Sequence, residues 1–297
     1  MSQIFDMNDS SQRREGLAAA SSAISNGRLV VMPTDTVYGI AADAFAPHAV
    51  GLLLTAKGRG RSMPSPVLIH RPEALDGIGA EISEETRALT KEFWPGALTV
   101  IVHQQPSVNL DLGDAMGTVA VRMPDDDVAL DLLAFTGPLA VSSANRTRQP
   151  AATTAAGAEE QLGETVDVYL DHGERGAGEQ QPSTIVDATG DTLRVVRQGA
   201  ISLERLREVV PSVLGLGEEP GDESREESSG QPGDEAAPAA EEGSEERPEE
   251  TAETPSETQP EARPEPQSAT EEPRPEPETT ETDAAEQSGT REHGSEH

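Results

Sequence analysis

The chain has 297 residues and is strongly acidic, with 55 Asp and Glu against 22 Lys and Arg and a formal net charge of −33. It contains no cysteine, which excludes disulfides, thiolate nucleophiles and cysteine-ligated zinc and suits a reducing cytoplasm. Its longest apolar run is too short to cross a bilayer, so we expect a cytoplasmic protein that makes no membrane contact. The acidity argues against a broad nucleic-acid-binding surface but still allows a focused cationic pocket.

Composition divides the chain near residue 217. Residues 1–216 carry apolar runs and regular turn signals, whereas residues 217–297 are mainly Glu, Pro, Ser, Thr, Ala and Gly, with 27 acidic against 5 basic side chains. A segment of this kind cannot bury enough apolar surface to offset chain entropy, so we predict a disordered acidic tail. We predict a flexible N-terminus at residues 1–11 and one folded domain at residues 12–216.

In chain order, helix and strand patterns are mixed. Helices are predicted from a cap at Ser10 or Ser11 to Asn26, from Pro47, and over Ser83–Phe93. Two more are predicted, one with Asp125–Asp127 in its first turn and one over Leu203–Val210 after a cap at Ser202. Strands are predicted at Arg28–Met32, Val67–Ile69, Ala97–His103, Thr118–Pro124, Gly137–Val141, Thr165–Leu170, Pro182–Asp187 and Thr192–Arg197. Because some strands follow one another without a helix between them, we predict an α/β or α+β fold with a twisted mixed parallel and antiparallel sheet.

One loop concentrates positive charge between a helix end and a strand. Lys57, Arg59 and Arg61 fall within five residues, and Lys57 is one of only two lysines in the chain. The glycines between these cations allow the backbone to approach a ligand closely. The loop therefore suits an anion-binding site, with a solvated surface loop as the alternative at this stage.

Common nucleotide and hydrolase motifs are absent from the sequence. There is no Walker A motif, no dinucleotide fingerprint after a strand, no H-E-x-x-H zinc motif and no G-x-S-x-G elbow. The remaining candidates are cations and small polar groups at strand ends and in loops: Lys57, Arg59, Arg61, Arg122, Arg194, Arg197, Thr34, Thr118, Ser143, Asn145 and Ser183. Several guanidinium groups in one cavity would suit a nucleoside triphosphate or a small carboxylate. The sequence alone does not show that these groups converge.

Seven short motifs occur in order along the chain. They are Pro33–Gly39 (PTDTVYG), Ala56–Arg59 (AKGR), Pro66–His70 (PVLIH), Phe93–Gly96 (FWPG), Val119–Pro124 (VAVRMP), Ser143–Asn145 (SAN) and Ser183–Asp187 (STIVD). Together they resemble the YrdC/Sua5 family of L-threonylcarbamoyladenylate synthases over residues 12–210. The resemblance implies a YrdC/RibB-like twisted α/β sheet with flanking helices around a large concave cationic cavity.

The resemblance also implies a nucleotidyltransferase reaction. L-threonine, bicarbonate or CO2, and ATP would give threonylcarbamoyl-AMP and pyrophosphate, with Mg²⁺ expected to accompany ATP. Partner proteins would then transfer the threonylcarbamoyl group to the adenosine beside the anticodon of certain tRNAs, and weak RNA binding is a further expectation. The reactants are anions or become anions, so the protein's task would be charge neutralisation and positioning. No covalent protein nucleophile is needed, consistent with the absence of cysteine.

Matching positions imply the site residues. Lys57 and Arg59 match the family's K-x-R motif and are the implied catalytic cations on the phosphates. The implied threonine-binding residues are Thr34, His70, Arg122, Val141 and Ser183. The implied ATP-binding residues are Lys57, Arg59, Arg61, Ser65, Thr118, Ser143, Asn145 and Arg197, and no metal-ligating residue is implied. Taken singly, a histidine of this kind is commonly structural, an arginine commonly forms a surface ion pair, and a hydroxyl commonly caps a turn.

Two features depart from the family pattern. Gly60 stands where the K-x-R motif usually continues with proline, and Pro66 comes two residues late. Either the loop has a two-residue insertion, or Arg59 and Arg61 occupy the two cation positions. Longer family members also carry a further folded C-terminal domain, which the composition of residues 217–297 cannot form.

Two other functions fit the same residues. A non-catalytic RNA- or nucleotide-binding module would bind tRNA with a steep salt dependence and release no pyrophosphate. A carbamoyl-transfer relative using carbamoyl phosphate is the other alternative, but such domains usually sit in much larger, cysteine-bearing chains. The acidic tail has solubility as its simplest role, and an acidic docking arm for a basic partner as a sharper one.

Overall fold

One mixed β-sheet organises the folded part of the chain. The computed structural model describes residues 2–175 and 181–219. The strands are β1 (Gln3–Asp6), β2 (Val30–Met32), β3 (Gly39–Asp43), β4 (Val67–Leu68), β5 (Gly79–Ala80), β6 (Leu98–Gln104), β7 (Thr118–Arg122), β8 (Leu139–Ser143), β9 (Val168–Asp171), β10 (Thr184–Asp187) and β11 (Arg194–Arg197). The helices are α1 (Ser10–Ser25), α2 (Pro47–Lys57), α3 (Ala74–Ile78), α4 (Glu84–Phe93), α5 (Asp127–Thr136), α6 (Ala155–Leu162) and α7 (Leu203–Val209), with a 3-10 turn at Gly163–Thr165.

The strand pairings confirm the predicted mixed sheet. The strand order is β1-β9-β2-β3-β8-β4-β7-β6-β10-β11, and β5 pairs with β6 beside this path. The pairs β1–β9, β2–β9, β4–β7 and β6–β10 are parallel. The pairs β2–β3, β3–β8, β4–β8, β6–β7 and β10–β11 are antiparallel. The sheet thus combines crossover connections with direct strand-to-strand turns, as the sequence pattern indicated.

Helices pack on the sheet in three apolar clusters. α1 and α5 cover one face of the half built around β2, β8 and β9, and α2 and α6 cover the opposite face. In the other half, α3, α4 and α7 pack on β6, β7 and β10. No helix among residues 2–175 and 181–219 is both long and apolar enough to cross a membrane.

Side chains at the helix N-termini set most helix starts. Asp9 accepts hydrogen bonds from the backbone N–H groups of Ser11 and Gln12, so α1 begins directly after Asp9. The same role is played by Ser83, Asp126, Thr154 and Ser202. The predicted cap at Ser202 is therefore confirmed, whereas Asp9 takes the capping role that was predicted for Ser10 or Ser11.

The chain termini differ from the predicted boundaries. Residues Gln3–Asp6 are not a flexible segment but form β1, which pairs in parallel with β9, and Met7 beyond it is 1% exposed. This pairing partner lies more than 160 residues away, so a local pattern could not reveal it. At the other end, Glu218 accepts hydrogen bonds from Arg207 and from the Gly215 N–H, which ties residues 217–219 to the domain. The remainder of the predicted tail, residues 220–297, lies outside the described residues.

Thr184 provides a test of what holds β10 in place. Its hydroxyl is fully buried, donates to the Ile201 carbonyl at 2.7 Å and accepts from the N–H groups of Gly199 and Ile201, both at 3.0 Å. Thr184→Val keeps the shape but leaves the N–H groups of Gly199 and Ile201 without their acceptor, so we expect a loss of about 3 kcal/mol in the free energy of unfolding. Urea unfolding measures this loss. The matched change Thr136→Val, at a partly exposed helix position, should cost less than about 1 kcal/mol, and equal losses would contradict the account.

Candidate active site

A cavity of about 550 Å³ opens on one face of the sheet. Its lining residues are Thr34, Thr36, Val37, Tyr38, Gly39, Arg59, Pro64, Pro66, Leu68, Thr99, Ile101, Ala120, Arg122, Val141, Ser142, Ser143, Ala151, Gln181, Pro182, Ser183, Ile185 and Arg197. Seven of the predicted site residues are in this set: Thr34, Arg59, Arg122, Val141, Ser143, Ser183 and Arg197. These residues come from six separate stretches of the chain, so their convergence is a property of the fold.

Strand alternation explains which side chains reach the cavity. In β6, Leu98, Val100 and Val102 belong to the apolar core, whereas Thr99 and Ile101 line the cavity. The same alternation puts Ala120 and Arg122 of β7 on the cavity side and Val119 and Val121 in the core. Because β4 pairs with β7 and β10 pairs with β6, Leu68 and Ile185 extend the same floor.

Three guanidinium groups give the cavity its charge. Arg59 donates from Nη1 to the Ser142 hydroxyl at 3.3 Å, and its buried Nε has no hydrogen-bond partner among the described residues. Arg197 donates from Nε and Nη2 to the Ser183 carbonyl at 3.0 and 2.9 Å. Burial, and then the positive charge of Arg122, lower the pKa of Arg197, and burial lowers that of Arg59. None of the described lining residues is a carboxylate, so the cavity suits an anion.

Arg122 is held on three sides. Its Nε donates to the Gly96 carbonyl at 2.9 Å and its Nη1 to the Thr36 hydroxyl at 3.2 Å. Its Nη2 donates to the Asp35 carboxylate at 2.6 Å. The PTDT and FWPG motifs thus meet at one arginine, and both turns contact the site through Arg122.

Hydroxyl groups line the rim of the cavity in ordered arrangements. The Thr34 hydroxyl donates to the Val37 carbonyl at 2.6 Å, so it closes the turn before β3. The Ser183 hydroxyl lies 2.9 Å from that of Thr99 and accepts from Arg197 Nη2 at 2.8 Å. Thr99 was not among the predicted site residues. Its place in the alternating, β-branched pattern of the predicted strand was the one indication in the sequence. That pattern is equally typical of a strand threonine with no role in a site.

Lys57 lies behind the cavity wall. α2 ends at Lys57 because Gly58 adopts a left-handed φ of 62°, and the lysine side chain is 1% exposed. Its ammonium donates to the carbonyl of Ser143, to the carbonyl of Asn145 at 2.8 Å and to Asn145 Oδ1 at 3.3 Å. Lys57 and Asn145 therefore fix the SAN segment, whose Ser143 lines the cavity. Burial, and then the charge of Arg59, lower the pKa of Lys57 to about 8.

Six predicted residues are not in the lining among the described residues: Lys57 and Asn145, as above, and Arg61, Ser65, His70 and Thr118. Ser65 is 1% exposed and lies between Pro64 and Pro66, which do line the cavity. Arg61 is half-exposed and forms ion pairs with Asp111 and Asp114. Thr118 Oγ1 donates to the Ala115 carbonyl at 2.7 Å.

Two other features of the described residues resemble binding sites. A second concavity of about 600 Å³ borders α2, and its charged lining residues are of mixed sign: Arg28, Lys57, Arg146 and Glu164. Asp126, Asp127 and His172 could together hold a metal ion, with ligand atoms within 4.8 Å of one another. However, the Arg175 guanidinium already lies 2.7 Å from the Asp126 carboxylate and neutralises it. The cavity on the sheet is therefore the candidate active site, since guanidinium and hydroxyl groups from several strands and loops line it.

Comparison with known proteins identifies the family. A family model covering Sua5, YciO and YrdC, described as telomere recombination, matches residues 22–199. This chain belongs to the Sua5/YciO/YrdC family. The matched segment contains all seven motifs and every lining residue of the cavity.

Relatives in this family carry a specific name. A Mycobacterium leprae protein named "Putative threonylcarbamoyl-AMP synthase" is 52% identical over 210 residues, which cover 71% of this chain and 94% of that protein. A Pyrococcus abyssi protein named threonylcarbamoyl-AMP synthase is 35% identical over 195 residues, covering 65% of this chain and 57% of that protein. The crystal structure of P. abyssi Sua5 complexed with L-threonine superposes with a TM-score of 0.66 at 31% identity, covering 74% of this chain and 65% of that one.

The pKa of Lys57 can be measured directly because the family member described here has only two lysines. In protein labelled at the lysine side chains, we expect one ammonium resonance to titrate with a midpoint near pH 8 and to vanish in Lys57→Met. Because the folded pKa lies below the usual 10.5, the unfolded chain binds more protons between these values, and stability should rise with pH there. Lys91→Gln, which removes the other lysine, should leave this resonance in place. A Lys57 midpoint above pH 10 would contradict the burial argument.

Proposed function

We propose that this protein is a threonylcarbamoyl-AMP synthase, which converts L-threonine, bicarbonate or CO2, and ATP into threonylcarbamoyl-AMP and pyrophosphate. The main support is that Arg59, Arg122 and Arg197 line one cavity, which has no carboxylate among its described lining residues. The relatives named above support the same reaction. The product would serve proteins that modify the adenosine next to the anticodon in tRNA.

The proposed reaction requires side chains that stabilise negative charge and does not require a nucleophilic side chain. The amine of threonine adds to CO2 to give a carbamate, whose oxygen attacks the α-phosphorus of ATP, and pyrophosphate leaves. Negative charge accumulates on the carbamate, the equatorial phosphate oxygens and the leaving group. Fixed guanidinium groups stabilise that charge without reorganising during the reaction, since Arg122 and Arg197 are already held by backbone carbonyls.

The geometry supports a division of roles within the cavity. Arg122, with Thr34, Val141 and Ser183 nearby, suits the carboxylate and side chain of threonine. Arg59 and Arg197 suit the phosphates of ATP, and the unpartnered Nε of Arg59 would gain an acceptor there. Lys57 contributes by holding the backbone of Ser143 and Asn145, so that Ser143 presents its hydroxyl to the nucleotide.

Mg²⁺ would enter this site as part of the ATP complex. Magnesium is commonly held by substrate phosphates together with one or two carboxylates and water. Because the described lining residues include no Asp or Glu, the phosphates and water would supply its ligands here. The cytoplasmic location and the protein partners of the product are further parts of the proposal and rest on the absence of cysteine and on the reaction itself.

The catalytic domain is proposed to end at residue 219, and the acidic segment beyond it to be dispensable for adenylate formation. Arg194 donates to the Glu218 carbonyl and Arg207 to the Glu218 carboxylate, so a cut after residue 219 keeps these contacts. The 210 residues aligned to the M. leprae relative cover 94% of that protein, which leaves little room there for an equivalent of the tail.

Pyrophosphate release from ATP tests the reaction, and Arg122 tests the division of roles. We expect release to require both threonine and bicarbonate. Arg122→Gln should raise the KM for threonine about 10- to 100-fold, because a charge-assisted pair to a carboxylate is lost, while the KM for ATP changes less than threefold. Arg87→Gln, which removes an exposed ion pair with Asp76, is the matched control and should behave like the wild type. Tight, salt-sensitive tRNA binding without any pyrophosphate release would refute the synthase in favour of a binding module.

Arg61→Gln tests which cations act at the phosphates. Since Arg61 pairs with Asp111 and Asp114 outside the cavity, the KM for ATP should stay within threefold of the wild type. Arg59→Gln should raise the same constant at least tenfold. The reverse order of effects would place Arg61 at the phosphates and show that the loop rearranges on binding ATP.

A further inference from the structure

We infer that Asp35 is a positioning and specificity residue, which reserves Arg122 for a singly charged carboxylate and keeps the polyphosphate of ATP away from it. The inference rests on the proposed function and goes beyond it by naming what separates the two anionic substrates. Asp35 is not in the cavity lining and was not among the predicted site residues. It would act through Arg122.

The ion pair between Asp35 and Arg122 is nearly buried. The two side chains are 17% and 9% exposed, and Arg122 Nη2 lies 2.6 Å from Asp35 Oδ1. The same carboxylate oxygen accepts the backbone N–H of Asp125 at 3.1 Å, which fixes its position from the other side. In this setting the pair is shielded from salt, so the carboxylate cancels much of the guanidinium charge.

The contacts of Arg122 leave a defined number of donors for a ligand. A guanidinium has five N–H groups. Three are used by Gly96, Thr36 and Asp35, through Nε, Nη1 and Nη2 respectively. One N–H on each terminal nitrogen remains, which matches the two oxygens of a single carboxylate.

Charge then distinguishes this arginine from the other two in the cavity. Among the described residues, neither Arg59 nor Arg197 has a carboxylate partner within ion-pair distance, and their contacts are to hydroxyl and carbonyl oxygens. A polyphosphate gains the full attraction of these two cations. At Arg122 it would meet a neutralised pair and the repulsion of Asp35, whereas a monocarboxylate needs only two directed hydrogen bonds.

Direct binding measurements on Asp35→Asn test the inference. The substitution keeps the acceptor for the Asp125 N–H but removes the charge. We expect the Kd for L-threonine, measured by calorimetry, to rise at least tenfold, because the ion pair that orients Arg122 is reduced to a neutral hydrogen bond. The Kd for tripolyphosphate, the probe for the phosphate region, should stay the same or fall, because Arg122 becomes an uncompensated cation. Asp35→Glu keeps the charge and should recover part of the threonine affinity.

Controls separate this role from folding and from the proposed reaction. Asp76→Asn, which breaks an exposed ion pair with Arg87, should leave both affinities unchanged. Threonine affinity within twofold of the wild type in Asp35→Asn would overturn the inference, and so would an equal loss of both ligands, which would indicate a collapsed cavity. A wild-type protein that bound threonine but released no pyrophosphate would overturn the proposed function instead, and would leave the threonine-to-tripolyphosphate contrast in Asp35→Asn as the test of Asp35.

Discussion

The two-residue period of the β-strands is the constraint on which the site depends. Along the middle of β6 and β7, alternate side chains pack into the core under α3, α4 and α7, and Thr99, Ile101, Ala120 and Arg122 between them line the cavity. A one-residue slip of β7 would bury Arg122 in the apolar core and expose Val121 to the cavity. The register of β7 against β4 and β6 is therefore as important for function as the identity of the arginine.

Gathering four cations near one cavity is unfavourable unless their charge is compensated. Lys57 is compensated by carbonyl oxygens of Ser143 and Asn145, Arg197 by the carbonyl of Ser183, and Arg122 by Asp35. Arg59 is the least compensated, with a single long contact and a buried Nε that lacks a partner among the described residues. Unmet donors in a native protein often mark the place of a ligand, and here an anionic ligand would relieve both the repulsion and the missing hydrogen bond.

The sequence predicted the elements better than it predicted the contacts. Most strands and helices were recognisable from apolar runs and caps, because those signals are local. β1 and β3 were not recognised, since a four-residue edge strand and the small side chains of Gly39–Asp43 have no clear alternation. Arg122 could be named from its motif, but Asp35 and Thr99 could not be distinguished from an ordinary turn aspartate and strand threonine. Their roles come from contacts with residues more than 80 positions away.

The contacts of Arg61, the additional cation of the loop after α2, explain the departure of this loop from the family pattern. Gly58 stops α2 at a fixed residue, so Lys57 and Arg59 keep their contacts with Ser143 and Ser142 whatever follows. The additional length then turns outward. The carbonyl of Arg61 accepts the N–H of Asp114 at 2.8 Å, and its guanidinium pairs with acidic side chains of the same 105–117 loop.

Gly113 has no Cβ, and a Cβ there would lie 2.6 Å from the Arg61 carbonyl oxygen, so the two loops can approach this closely only with glycine at that position. The third cation is thus neutralised outside the cavity, and Arg59 and Arg197 are left as the pair of cations that we propose for the phosphates.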